Sequence, residues 1–441
     1  MVASPFFQLE CMVFFSFKRL LLGSVMLLML LPAFQAKLRW VPVEPLDGYF
    51  DPVPRAEYSW SGLRDNSFQN QLEAYLQDRL GFRTWLLRMR NQLAYSVFRM
   101  SRVNTVVVGK DDVLFQPYSI DALLGKYASP REMVNRVKRL KLVQDSLRAH
   151  GTQFLLVAAP GKARIMPELL PAQFANQPRS ISNYDAVMMA AHRYGLNVLD
   201  GAALLKSWQD TSRFPMFPRG GTHWSGYATS LIADTLFRRI EHLTKHDLTD
   251  FASHGYTVAT SIDSVRYTDD DIQKVMNRIW ESTPYPLAYP RVVFSPETGK
   301  QRVNALVIGD SFAQSFYNFY PYFQHLFTPE SRYWASYEYV FWPESAPESH
   351  TVHDLNLREQ LAHRDIVLII ITEQNLSHLG YGFTDEAYNV FRPKTAADYA
   401  AIDRRAKELE NNASWEEVHN DDRFAQHMHE RAESEYDHTH E

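Results

Sequence analysis

From about residue 105 to residue 375, short apolar runs alternate with stretches of helical periodicity, and this alternation restricts the fold more than any other feature. Residues 154–158, 196–199, 304–308 and 366–371 have the length and composition of fully buried strands. Helical stretches lie between them. One begins at Pro130, places Met133, Val137, Leu140 and Leu147 on one face, and closes at Gly151; Ser129-Pro130-Arg131-Glu132 reads as its capping box. Others cover about 183–194, ending at Gly195, the residues after Ser225, and about 354–363. Strands joined through helices pair in parallel, so the expected fold is α/β: a mostly parallel sheet with helices on both faces. Ahead of it, 105–108 and 113–115 flank Gly109-Lys110-Asp111-Asp112 as a hairpin-like unit.

The N-terminus has a different pattern. Lys18-Arg19 precedes an apolar run from Leu20 to Phe34, broken only by Gly23, Ser24 and Pro32. Extended to Ala36, its length is at the short end for crossing a bilayer. A signal peptide shares the basic-then-apolar pattern, but Phe34 is a poor residue two positions before a cleavage site at Ala36. The expectation is an uncleaved, single-pass anchor over residues 18–36, with 1–17 cytoplasmic and the rest outside the cytoplasm. Residues 40–61, rich in Pro and aromatics, read as a linker. Asn66-Ser67 reads as a helix cap; Phe68, Leu72, Tyr75, Leu76 and Leu80, then Phe82, Leu86, Met89, Leu93 and Val97, recur at helical spacing on either side of Gly81 and predict a core-facing stripe.

Residues 401–441 carry twelve acidic against five basic residues, a local net charge of −7, and read as a solvated helical tail adding little to the core. Its five histidines, His419, His427, His429, His438 and His440, read as surface residues rather than a metal site, and no metal or cofactor is expected. Asn412-Ala413-Ser414 matches a sequon too short to carry weight. The whole-chain charge of −5 argues against nucleic acid as a partner, and the single cysteine, Cys11, excludes an intrachain disulfide.

Three stretches carry chemistry. In the first, 304–308 runs into Gly309-Asp310-Ser311-Phe312 and a helix bearing Phe312, Phe316 and Phe319. A buried parallel strand ending in Gly-Asp-Ser puts a hydroxyl at the carboxyl edge of a sheet, where open α/β folds bind ligands. The unpaired first N–H groups of the next helix can face an oxyanion. Ser311 is a candidate nucleophile, with Gly309 and Asp310 beside it, although Gly-Asp-Ser also makes an ordinary turn and cap. In the second, Thr222-His223-Trp224-Ser225 follows Gly220-Gly221 and precedes a helix; His223 is a candidate base, against a structural histidine beside a buried tryptophan. In the third, Thr372-Glu373-Gln374-Asn375 follows 366–371. Asn375 is a candidate oxyanion donor and Glu373 a candidate orienter of an imidazole, against ordinary turn chemistry.

Taken with Val107 to Phe115, Ala159-Pro160-Gly161-Lys162 and Pro167 to Pro171, the pairing of Thr222-His223-Trp224-Ser225 with Gly309-Asp310-Ser311-Phe312 resembles the alginate O-acetyltransferase family (AlgX/AlgJ-like). The resemblance runs from about residue 65 to the tail. It implies an SGNH-hydrolase-like (flavodoxin-like) fold over 101–390, preceded by a linker and N-terminal helices over 37–100 and followed by the tail over 391–441. It implies an extracytoplasmic O-acetyltransferase for a cell-surface exopolysaccharide, with Ser311 as nucleophile, His223 as base and a membrane-bound O-acyltransferase as acetyl donor. The family's triad has an Asp two residues before that His; this chain has Gly221. Glu373 and Asp200, which ends the strand 196–199, are the candidate substitutes. The alternatives are a carbohydrate esterase using the same residues, or a polysaccharide-binding scaffold on an inactivated fold.

Overall fold

The structure, a computed structural model, describes residues 5–48, 51–346, 351–392, 394–413 and 423–440. The chain divides into two compact units, 1–106 with 272–282, and 107–271 with 283–441.

In the first unit, the helix Pro5–Leu38 contains Pro32, and its residues 18–38 are long and apolar enough to cross a membrane. Leu20, Leu22, Met26 and Leu28 stand exposed along it. Gly81 separates the helices Ser67–Asp78 and Arg83–Phe98, and its amide donates to the Pro32 carbonyl at 3.1 Å. A Cβ at Gly81 would stand 2.2 Å from that carbonyl oxygen, so the close approach demands glycine. The expected core-facing stripe is not one. Leu76, Leu86, Met89, Leu93 and Val97 are 47–61% exposed. The buried face of Arg83–Phe98 is instead Asn91, Gln92 and Tyr95, packed on residues 272–282. Asn91 Nδ2 donates to the Met276 carbonyl, the Trp280 amide donates to Gln92, and Arg278 stacks over Tyr95 at 3.9 Å. Hydrogen bonding rather than apolar burial selects that face. Asn66 sits in the left-handed region without making a side-chain cap.

The second unit is built on a sheet. Its strands are β1 (Val107–Val108), β2 (Leu114–Phe115), β3 (Gln153–Ala159), β4 (Val198–Asp200), β5 (Phe251–Ala259), β6 (Leu287–Phe294), β7 (Ala305–Gly309), β8 (Arg332–Ala335), β9 (Tyr339–Trp342) and β10 (Ile366–Thr372). Six of them form one sheet in the order β4-β3-β10-β7-β8-β9, parallel except for β9. β10 is buried along its whole length between β3 and β7, as its unbroken Ile/Val/Leu run requires. From β3 the chain steps outward to β4, and from β7 it steps the opposite way to β8. The carboxyl ends of β3, β10 and β7 therefore border a crevice where the connections diverge. The helices Pro130–Ala149, Asn183–Tyr194 and Phe383–Phe391 pack as one group; Gly201–Gln209, Gly226–Thr244 and Ser311–Asn318 pack as another.

β1 and β2 form the expected hairpin. The antiparallel ribbon β5–β6, most of β5 exposed, was not visible in the sequence pattern. The capping box does not form: Ser129 makes no side-chain cap on Pro130–Ala149, its amide donates to Asn183 Oδ1 at 2.9 Å, and Glu132 pairs with Arg136 at 2.7 Å. The tail forms two helices, Ala396–Asn412 and Phe424–His440, around a small core of their own: Ile402, Ala406, Leu409 and Ala432. Trp415, Val418, His419 and Ser414 of the sequon lie outside the described residues.

Candidate active site

The last residue of β7 is glycine because a Cβ at Gly309 would stand 2.5 Å from the Ile370 carbonyl oxygen of β10. The turn that follows is fixed by Asp310. Its Oδ1 accepts from the Phe312 amide (3.1 Å). Its Oδ2 accepts from the Thr372 amide (2.8 Å) and hydroxyl (2.6 Å), Asn375 Nδ2 (2.9 Å) and the Tyr381 hydroxyl (3.1 Å). The Tyr333 hydroxyl donates to the Asp310 carbonyl at 2.9 Å. Asp310 thus clamps the turn to the end of β10, and Asn375 serves that clamp; among the described hydrogen bonds none joins Asn375 to Ser311. Ser311 opens the helix Ser311–Asn318 with its side chain exposed. Its amide makes no backbone hydrogen bond among the described residues.

The loop before Gly226–Thr244 brings His223 to that hydroxyl. Ser225 caps the helix by accepting from the Ala228 amide, and Trp224 is fully buried edge-on against Phe312. His223 is 6% exposed, and its Nε2 lies 2.7 Å from Ser311 Oγ. The structure therefore brings the two residues together across 88 positions of chain. Lys162, after β3, holds the same loop from below: its Nζ donates to the carbonyls of Arg219 and Gly221, both at 2.9 Å. Burial pushes its ammonium down to about 7, against the pull of Asp271 and Asp269.

The carboxylate on the imidazole is Asp271. Its Oδ2 lies 3.0 Å from His223 Nδ1, and its Oδ1 accepts from the Thr222 amide at 2.7 Å. Neither sequence candidate is there. Glu373 is buried and paired with Arg164 at 2.7 Å, and it accepts from the Gly161 amide at 3.1 Å. Burial pushes its carboxyl up while Arg164 opposes the shift. Asp200 accepts from the Tyr184 hydroxyl (2.6 Å) and caps Gly201–Gln209 through the Ala203 amide (2.9 Å). Both carboxylates are held by these partners, and no described hydrogen bond joins either to the imidazole.

Gly221 shows why the acid sits elsewhere. A Cβ there would stand 2.5 Å from the Thr268 carbonyl oxygen and 2.8 Å from the Asp269 carbonyl carbon. The backbone of Thr268 and Asp269, with Pro218 Cγ at 2.7 Å, fills the room a side chain at Gly221 would need, and the same segment two residues on presents Asp271. The sequence signal was the run Asp269-Asp270-Asp271. Nothing local says which of the three turns inward to the histidine. Asp269 is buried too, and it accepts from the Tyr289 hydroxyl (2.9 Å) and the Gly226 amide (3.4 Å); burial pushes its carboxyl up to about 8. Among the described residues, no group of His, Cys, Asp and Glu side chains is arranged to hold a metal ion.

A mostly parallel α/β sheet with Ser, His and Asp in hydrogen-bonded series at its carboxyl edge defines a serine hydrolase-like class. Residues 106–332 match the family described as the SGNH hydrolase-like domain of the acetyltransferase AlgX, and the chain belongs to that family. Two probable alginate O-acetylases AlgJ align with it. The one from Pseudomonas putida is 26% identical over 36% of this chain and 38% of its own length; the one from Pseudomonas aeruginosa is 28% identical over 36% and 37%. The chain thus spans well under half of these relatives. The solved O-acetyltransferase domain of Pseudomonas putida AlgJ superposes with a TM-score of 0.43 at 18% identity, over 65% of this chain and 99% of that domain. Pseudomonas aeruginosa AlgX gives 0.40 at 13%, over 68% and 69%.

Proposed function

We propose that this chain is an extracytoplasmic O-acetyltransferase that esterifies hydroxyls of an exopolysaccharide, with the acetyl group carried on Ser311. The observation that carries the reading is the series Ser311 Oγ, His223 Nε2, His223 Nδ1 and Asp271 Oδ2, at 2.7 and 3.0 Å. With Nδ1–H donated to Asp271, Nε2 is left to accept the serine proton. Ser311 Oγ attacks the acetyl donor while His223 takes its proton, and the imidazolium that forms is stabilised by Asp271. The Ser311 amide, at the start of its helix, faces the developing oxyanion. The leaving group departs with the proton from His223. An acceptor hydroxyl then repeats the sequence in reverse.

Membership of an acetyltransferase family and the relatives' names support transfer onto a polysaccharide, alginate-like in the first instance. The apolar helix supports a single-pass anchor in the inner membrane with the sheet in the periplasm, where a membrane-bound O-acyltransferase would present acetyl. The exposed position of Ser311 also favours an esterase, in which water replaces the sugar hydroxyl. The scaffold reading is weakened, since Asp271 meets the imidazole although Gly221 carries no acid. Incubation with an activated acetyl ester and an unmodified oligosaccharide tests the choice. Acetylated saccharide is the expected product; free acetate alone would make the protein an esterase.

A further inference from the structure

The segment that delivers Asp271 also delivers a ring. Tyr267 is a non-glycine residue in the left-handed region, at φ 52°, in a turn closed by the Asp269 amide on the Arg266 carbonyl at 3.2 Å. Such a backbone is costly and persists where the surroundings enforce it. Here they do: the Arg266 amide donates to the Tyr289 hydroxyl, which donates to Asp269, both at 2.9 Å. The ring stands edge-on to Phe319 at 5.3 Å, and its hydroxyl donates to Gln314 Oε1 at 2.8 Å. Gln314 lies three residues after Ser311 in the same helix, so it neighbours Ser311 on one helical face. Despite these restraints Tyr267 is 38% exposed as a residue. The result is a large, immobilised, partly exposed aromatic ring hydrogen-bonded to a residue one helical turn from Ser311. Nothing in the Ser311–His223–Asp271 series needs it.

We infer that Tyr267 is the acceptor platform: the C–H face of a pyranose ring stacks on it and brings a sugar hydroxyl to acetyl-Ser311. An aromatic ring with an anchored polar edge suits a ligand that is apolar on its face and hydroxylated on its rim. The hydroxyl oxygen bonds to the acetyl carbon as its proton passes to His223 Nε2. The bond from that carbon to Ser311 Oγ then breaks, and Oγ recovers the proton. The inference rests on the acetyl-transfer reading, because it assigns the acceptor of that reaction.

The test uses the full chain in nanodiscs, 4-nitrophenyl acetate as donor and an unacetylated alginate hexasaccharide as probe. The readouts are the partition between acetylated saccharide and free acetate, and hexasaccharide affinity by calorimetry in a Ser311→Ala background. Tyr267→Ala is expected to shift the partition toward acetate about tenfold and to weaken affinity about tenfold. Tyr267→Phe, which keeps the ring and loses the bond to Gln314, is expected to stay within about threefold of wild type in both. A merely structural role would slow both products equally and leave the partition unchanged. An unchanged affinity in Tyr267→Ala, an equal defect in Tyr267→Phe, or no saccharide binding at all overturns the inference. If wild type yields only acetate yet affinity still falls with the ring, the transfer reading fails and Tyr267 is overturned as an acceptor platform, leaving a saccharide-binding ring.

Discussion

At the scale of single residues, Gly221 and Asp271 form one structural exchange. The position where the resemblance puts an acid is too close to the Thr268 carbonyl for any side chain, and the same segment brings Asp271 to the imidazole. Gly221→Asp is therefore expected to destabilise the protein by about 2 kcal/mol and to lower the rate of acetyl-ester hydrolysis, not raise it. A gain in rate at an unchanged melting temperature would contradict this. Asp271→Asn keeps the shape and removes the charge. It is expected to cost on the order of 10³-fold or more in turnover, as loss of a triad carboxylate can. Glu373→Gln breaks a buried pair with Arg164, so it is expected to cost about 3 kcal/mol of stability with no comparable catalytic loss at a temperature where it stays folded. The reverse pattern, a fast Asp271→Asn enzyme and a dead but stable Glu373→Gln enzyme, would move the acid back to Glu373.

At the scale of elements, the strands were legible because a strand buried on both sides has to be an unbroken apolar run, and 304–308 and 366–371 are such runs. The serine after β7 was legible for the same reason: the end of a buried strand fixes where the next side chain emerges. Asp271 was not legible, because 48 residues separate it from His223, with the helix Gly226–Thr244 and strand β5 between them, and the turn that carries it has no periodicity of its own. The helix Arg83–Phe98 misled for a different reason. Its apolar stripe stays exposed, while Asn91 and Gln92 find backbone partners in 272–282, which no local pattern announces. The tail is a helical hairpin with its own small core, tied by Lys394 to Glu433 (2.7 Å) and Arg405 to Glu435 (2.8 Å). Ending the chain after residue 413 uncovers Ile402, Ala406 and Leu409. Hydrogen exchange should then speed up across Ala396–Asn412, while the sheet unfolds cooperatively with a loss of roughly 1 kcal/mol or less. Loss of cooperative unfolding in the sheet would show that the hairpin supports it.

At the scale of the whole molecule, burial of Asp269 links stability to pH. A carboxyl raised from 3.8 to about 8 on folding means that the native state holds more protons than the unfolded state between those values. Stability then falls as pH rises from about 4 toward 8, with a slope of up to about 1.4 kcal/mol per pH unit. Asp269→Asn should flatten that fall in a series of urea titrations; the same slope in the variant would show that the carboxyl is ionised in the fold. The central claim, that the sheet exists to present Ser311 to an acetyl group with His223 and Asp271 behind it, meets its most direct test in peptide mass spectrometry of protein acid-quenched during turnover of 4-nitrophenyl acetate. One acetyl group on the peptide containing Ser311, absent in Ser311→Ala and formed far more slowly in Asp271→Asn, is the predicted result. Equal ester turnover by wild type and Ser311→Ala, with no acetyl on Ser311, would contradict it.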